Sequence, residues 1–66
     1  MTEQELVKMD DSIVRSVLID QAHTERAREL KQKGDRSGAA KELLAARRAR
    51  HHGINVAVKQ AKLLGY

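Results

Sequence analysis

At 66 residues and 7.4 kDa the chain has room for one domain at most, and a chain of about 60 residues buries only roughly 60% of the surface its unfolded form exposes, too little for a conventional enzyme cleft. The absence of Cys excludes disulfides, thiolate zinc sites and cysteine nucleophiles, and the absence of Pro leaves no rigid punctuation. Apolar residues make up 41%, yet Tyr66 is the single aromatic, so any core is assembled from Leu, Ile, Val, Met and Ala.

The net charge of +4 is unevenly placed. Up to Asp35 there are 8 acidic and 6 basic side chains, net −2; from Arg36 onward there are 1 acidic (Glu42) and 7 basic, net +6. Such a split either draws the two halves together or offers the basic half to an acidic partner or to phosphate. The acidic amino terminus (Glu3, Glu5) and a longest strongly apolar run of only Val17-Leu18-Ile19 predict neither a signal peptide nor a membrane span. The expected compartment is the cytoplasm, or the nucleus.

Thr2 followed by Glu5 is a capping box, with acids in the first turn where the helix dipole favours them. It predicts a first helix over about 3–32. Leu6, Val7, Met9, Ile13, Val14, Val17 and Leu18 fall within roughly half its circumference, and Ile19, His23, Ala27 and Leu30 on a neighbouring stripe. Asp10-Asp11-Ser12 could cap a second start; the reading adopted is one unbroken helix.

The turn is predicted over 33–37, where Gly34 suits the left-handed position after a helix and Asp35 or Ser37 can cap the next one. A second helix follows over about 38–64, its stripe formed by Ala39, Ala40, Leu43, Leu44, Ala46, Arg50, Ile54, Ala57, Val58, Ala61 and Leu64. Arg50-His51-His52-Gly53 also reads as a helix stop, which gives the alternative of a three-helix chain broken at Gly53. Because the stripe keeps its phase through Gly53, and a mid-helix Gly costs only about 1 kcal/mol, an unbroken helix is preferred.

The expected fold is therefore all-α, an antiparallel two-helix hairpin. Registering it about Asp35 sets Leu6 across from Leu64, Met9 from Ala61, Ile13 from Ala57, Ala27 from Leu43 and Leu30 from Ala40, large against small, with Asp20 beside Arg50 and Asp10/Asp11 beside Lys59. One partner helix covers only a narrow seam, so the broad apolar half of the first helix calls for further cover. Two hairpins completing a four-helix bundle by dimerisation would supply it, as would a helix from another protein.

The segment from Ala27-Arg28-Glu29-Leu30 through Gly34-Asp35 to Ala39-Ala40 and Leu43-Leu44-Ala45-Ala46, with small residues flanking a Gly-Asp turn, resembles the helix-turn-helix unit of tetratricopeptide-type repeats. It is also similar to the hairpins of MIT and DM14 domains and of ESCRT-III proteins. The likeness covers residues 27–46 in a single copy, with Ala or Leu at the bulky aromatic positions of a tetratricopeptide repeat. It implies a protein-binding helical hairpin. In architecture alone the chain resembles the small RNA-binding hairpin dimers of the Rop type.

Chemical constellations are sparse. His51 and His52 are adjacent and point about 100° apart on a helix, which does not suit one metal. Asp20 and His23 share a face without a Ser or Cys nucleophile or a third ligand at suitable spacing, and His23 reads as an interfacial histidine. No catalytic residue, metal ligand or cofactor is assigned, and no enzymatic activity is expected. The expectation is a small non-catalytic protein–protein interaction module that self-associates, accepts a partner helix, or both. Its apolar partner-binding residues are Leu6, Val7, Ile13, Val14, Val17 and Leu18. The alternative is a nucleic-acid-binding regulator touching the phosphate backbone through a basic surface of Arg47, Arg48, Arg50, Lys59 and Lys62.

Overall fold

Thr2 Oγ1 accepts the backbone N–H of Glu5 at 3.2 Å, and from that cap helix α1 runs unbroken over Glu3–Gln32. The Asp10-Asp11-Ser12 step does not interrupt it. The computed structural model describes residues 2–65. At the far end of α1, Gly34 takes φ +87°, the left-handed position that costs a residue without Cβ nothing. The N–H of Asp35 reaches back to Leu30 O at 2.8 Å and that of Gly34 to Lys31 O at 3.1 Å, the paired bonds of a Schellman motif. Asp35 then caps α2 by accepting the Gly38 N–H at 2.8 Å. A single short segment thus ends one helix, reverses the chain and starts the next.

Helix α2 spans Arg36–Leu63. It begins two residues earlier than the sequence suggests because Asp35, not Ser37, is the cap, and it passes through Gly53 without a break. The two helices pack along their lengths into an antiparallel hairpin whose Cα atoms extend 48 × 16 × 12 Å.

The seam differs from the expected one. Its buried residues are Ser16 and Ala27 on α1 and Ala39, Ala46 and Gly53 on α2. Small residues face small residues, and Ala46 is only 1% exposed. Leu43, expected to meet Ala27 in the core, is instead 52% exposed, with Leu44 and Leu64 also exposed. Leu6, Met9, Ile13, Leu30 and Val56 border the seam half-buried. Helices that approach closely leave no room for branched side chains at the line of contact, so Ala, Gly and Ser occupy it and larger residues move to the flanks. Counting residues from the turn gives the level of Leu43 along the hairpin; it does not give its azimuth, which is set by this narrow seam. Ile13 and Ala57 do come together as expected, lining one groove.

Gly53 marks a close approach, since a Cβ there would stand 2.9 Å from the Ser16 Cβ. Ser16 is itself buried, and its hydroxyl is satisfied within α1 by donating to Ser12 O at 2.9 Å. In a free helix Gly→Ala gains about 1 kcal/mol. At this contact, relieving the crowding costs about 1–3 kcal/mol, so Gly53→Ala lowers the thermal midpoint followed by circular dichroism. In a Ser16→Gly background the same substitution raises it. A Gly53→Ala protein that melts higher than the parent would show that the helices do not meet here as closely as described.

Candidate interaction surfaces

The hairpin presents two outer surfaces of different chemistry. At about 100° per residue, Val7, Val14, Val17 and Leu18 fall within an arc of about 100° on one flank of α1, and all four are exposed, from 49% for Val17 to 59% for Leu18. Of the six apolar residues expected to bind a partner, these four lie open; Leu6 and Ile13 turn partly into the seam. On α2, Leu43, Ile54 and Val58 fall within an arc of about 60° and are likewise exposed, while exposed Leu44 lies about 40° further round, at the border of the helix's outer edge. Both arcs open on the same broad side of the hairpin. Near mid-hairpin a groove there is lined by Ile13 and Val17 from α1 and Ile54 and Ala57 from α2, with Ser16 and Gly53 at the helix contact and Asp20 and Arg50 closing it on the turn side. Near the turn, Lys31 of α1 faces Ala39, Ala40 and Leu43 of α2 in a second shallow cleft.

Between these two apolar stretches the same side is polar. Asp20, Gln21, Thr24, Glu25, Arg28 and Arg50 line a cleft centred on the expected pairing of Asp20 with Arg50. Arg50 Nε donates to Asp20 Oδ2 at 2.9 Å and Nη2 donates to Oδ1 at 3.2 Å, while the Thr24 hydroxyl adds a third bond to Oδ1 at 3.2 Å. The hydrogen bonds from Arg50 lower the Asp20 carboxyl below its ordinary value; partial desolvation opposes them, and the charge of Arg50 and the Thr24 hydroxyl reinforce them. Asp20 in turn raises the Arg50 guanidinium. Asp20 and His23 therefore do not form a dyad. His23 is drawn across the seam, where its Nδ1–H donates to the Glu42 carboxylate and both side chains are half-buried.

Glu42 is a seam residue to which no motif points. It is the only acid of α2, and its engagement by His23 removes it from the outer surface. A lone carboxylate in a helix of seven cations is the signal that could have found it.

On the opposite edge of α2, away from α1, Lys41, Arg48, His52, Lys59 and Lys62 lie within an arc of about 80° and are all exposed. Among the described residues the salt bridges are His23–Glu42 and Arg50–Asp20. Of the five basic residues expected to form a surface, Arg47, Arg48, Lys59 and Lys62 are thus free of a carboxylate partner, and Arg50 is committed to Asp20. The expected approach of Lys59 to Asp10 does not occur. Asp10 accepts instead from Gln60 Nε2 at 2.8 Å, because position 60 borders the seam and position 59 lies about 100° away from it.

Among the described residues there is no group of three or more His, Cys, Asp or Glu placed to hold a metal ion, and no helix long and apolar enough to cross a membrane. Comparison with protein-family models, curated proteins and solved structures yields no match.

Asp20 ties the hairpin's stability to acid. Its carboxyl binds a proton less readily in the folded chain than in the unfolded one, so its contribution is fully present above the unfolded value of about 4 and is lost as pH falls through the lower folded value. Asp20→Asn removes that dependence. Urea unfolding between about pH 5 and pH 2 is expected to show the parent losing stability more steeply than the variant; parallel profiles would mean that the Arg50 pairing is not maintained in solution.

Proposed function

We propose that this chain is a small non-catalytic protein–protein interaction module that works by self-association through the broad apolar side of its hairpin. The observation that carries this reading is that the core is built from Ala27, Ala39 and Ala46 while eleven large aliphatic side chains stand exposed at 41% or more. A hairpin with such a core has spent little of its apolar surface on its own folding, and chains of this size commonly complete a core by associating.

The magnitudes favour a moderate complex. Each exposed Val, Leu or Ile is already about half covered, so burying the rest contributes roughly 1 kcal/mol. Seven such residues on the broad side of each copy give a gross gain on the order of 15 kcal/mol, against an association cost of about 4–15 kcal/mol; the net lies between about zero and about −11 kcal/mol, a span that includes micromolar affinity.

Sedimentation equilibrium between about 1 and 300 μM is expected to show conversion from the 7.4 kDa chain to a species of twice that mass. Val14→Asp with Leu18→Asp should hold the chain monomeric over that range, because a carboxylate desolvated in an apolar contact costs several kcal/mol. A parent that sediments as a monomer throughout would overturn the proposal.

A second reading is favoured by a separate observation: the outer edge of α2 carries Lys41, Arg48, Lys59 and Lys62 exposed and, among the described residues, unpaired, while the helix's only acid faces α1. Such a stripe suits the phosphate backbone of nucleic acid. With no aromatic residue in the helix itself, binding would be driven by charge and would weaken steeply with salt as counterions are released. Replacing Arg48, Lys59 and Lys62 together by Ala should abolish a gel shift with duplex DNA or structured RNA while preserving helicity. Absence of binding by the parent at tens of micromolar and low salt would eliminate this reading.

A further inference from the structure

Two identical hairpins that meet through the same broad side, related by a two-fold axis, have two ways to do so. With the axis along the hairpin, both turns lie at one end and each α1 rests on the other copy's α2. With the axis across it, the turns lie at opposite ends and each helix rests on its own counterpart. Resting on the self-association proposed above, we infer that the first arrangement is the one adopted: a four-helix bundle with its turns together and α1 of each copy antiparallel to α2 of the other.

Charge is the first argument. The outer flank of α1 interleaves its apolar residues with acids: Glu3, Asp10 and Glu25 fall in the same arc as Val7, Val14 and Val17, Asp11 and Glu29 lie at its margin, and Arg28 is the one cation within it, so the arc is net acidic. The corresponding flank of α2 carries Arg47 and Arg50 beside Leu43 and Ile54, with no acid in the arc. Placing α1 on α2 sets the acidic flank against the basic one twice over. Placing like on like brings Asp10 and Asp11 toward Glu25 of the other copy and brings Arg47 and Arg50 toward their own counterparts. Juxtaposed like charges at an interface cost several kcal/mol.

The distribution of apolar surface along the hairpin is the second argument. The large exposed apolar residues of α1 all lie between Val7 and Ile19, with none from Asp20 to the turn, and the groove that joins both helices lies next to them near mid-hairpin, between Val17 and Ile54. With turns together, that zone meets itself, so Val14, Val17 and Leu18 come against Ile54 and Val58 of the other copy. The polar middle, with its Asp20–Arg50 pair, meets the polar middle. At the turn end, Leu43 comes against the long stem of Arg28, which can cover it while its guanidinium reaches solvent. With turns apart, the open end's Val7 and Val14 would be set against Arg28 and Gln21.

The absence of native Cys permits a direct test. A nitroxide attached through Lys33→Cys sits in the exposed turn, and the distance between labels in the dimer is read by double electron–electron resonance. Neighbouring helix axes are about 10 Å apart, so turns at one end place the labels roughly 15–30 Å from one another. The expected result is a distribution within that range. A distribution near the 48 Å length of the hairpin would overturn the arrangement while leaving self-association standing. Absence of any dipolar modulation, with sedimentation showing a monomer at the same concentration, would overturn both.

Discussion

The close approach of α1 and α2 along a seam of Ser, Gly and Ala is the constraint on which the rest of the molecule depends. Gly53 leaves no room for a Cβ against Ser16, and Ala46, Ala27 and Ala39 continue the seam toward the turn. Close approach gives many backbone and methyl contacts per unit length, each small in energy and collectively substantial. It also fixes the azimuth of both helices. Once the smallest residues define the inner line, the larger aliphatics take their positions on the flanks, and the Asp20–Arg50 and His23–Glu42 pairs bridge the helices beside the seam.

The consequence is a hairpin whose strongest hydrophobic capital is outside. Alanine has little surface to withdraw from water, so the transfer free energy of this core is modest, whereas Leu, Ile and Val on the broad side each retain about half of their exposure. Structure and proposed function are linked by that imbalance: the same small residues that let the helices meet closely displace the large ones to where another molecule can cover them. The basic edge of α2 is separate in both position and chemistry. Its positive field survives because Glu42, the one acid able to neutralise it locally, is turned toward His23.

Much of this architecture was legible in the sequence because its signals are local. Thr2, Gly34 and Asp35 each act through bonds to residues a few positions away, and they placed both helix starts and the turn to within two residues. The Asp20–Arg50 pair followed from counting outward from the turn. What counting does not supply is azimuth. Leu43 stands at the right level and on the wrong side of the helix because hydrophobic periodicity weights large residues most heavily, while a tightly packed seam selects small ones. The same weighting left Ser16 unremarked, read Gly53 only as a possible helix break and Glu42 only as a count of charge, until the helices were seen together.

The central claim is that the isolated hairpin is incomplete and that a second copy supplies the missing core. It is tested most directly by the dependence of the thermal midpoint on protein concentration, measured by circular dichroism at 222 nm over about two decades in the micromolar range. Folding coupled to association makes unfolding a matter of mass action, so the account predicts a midpoint that climbs steadily with concentration. A sharp, cooperative transition at a midpoint independent of concentration would show that the hairpin is stable by itself, and would contradict it.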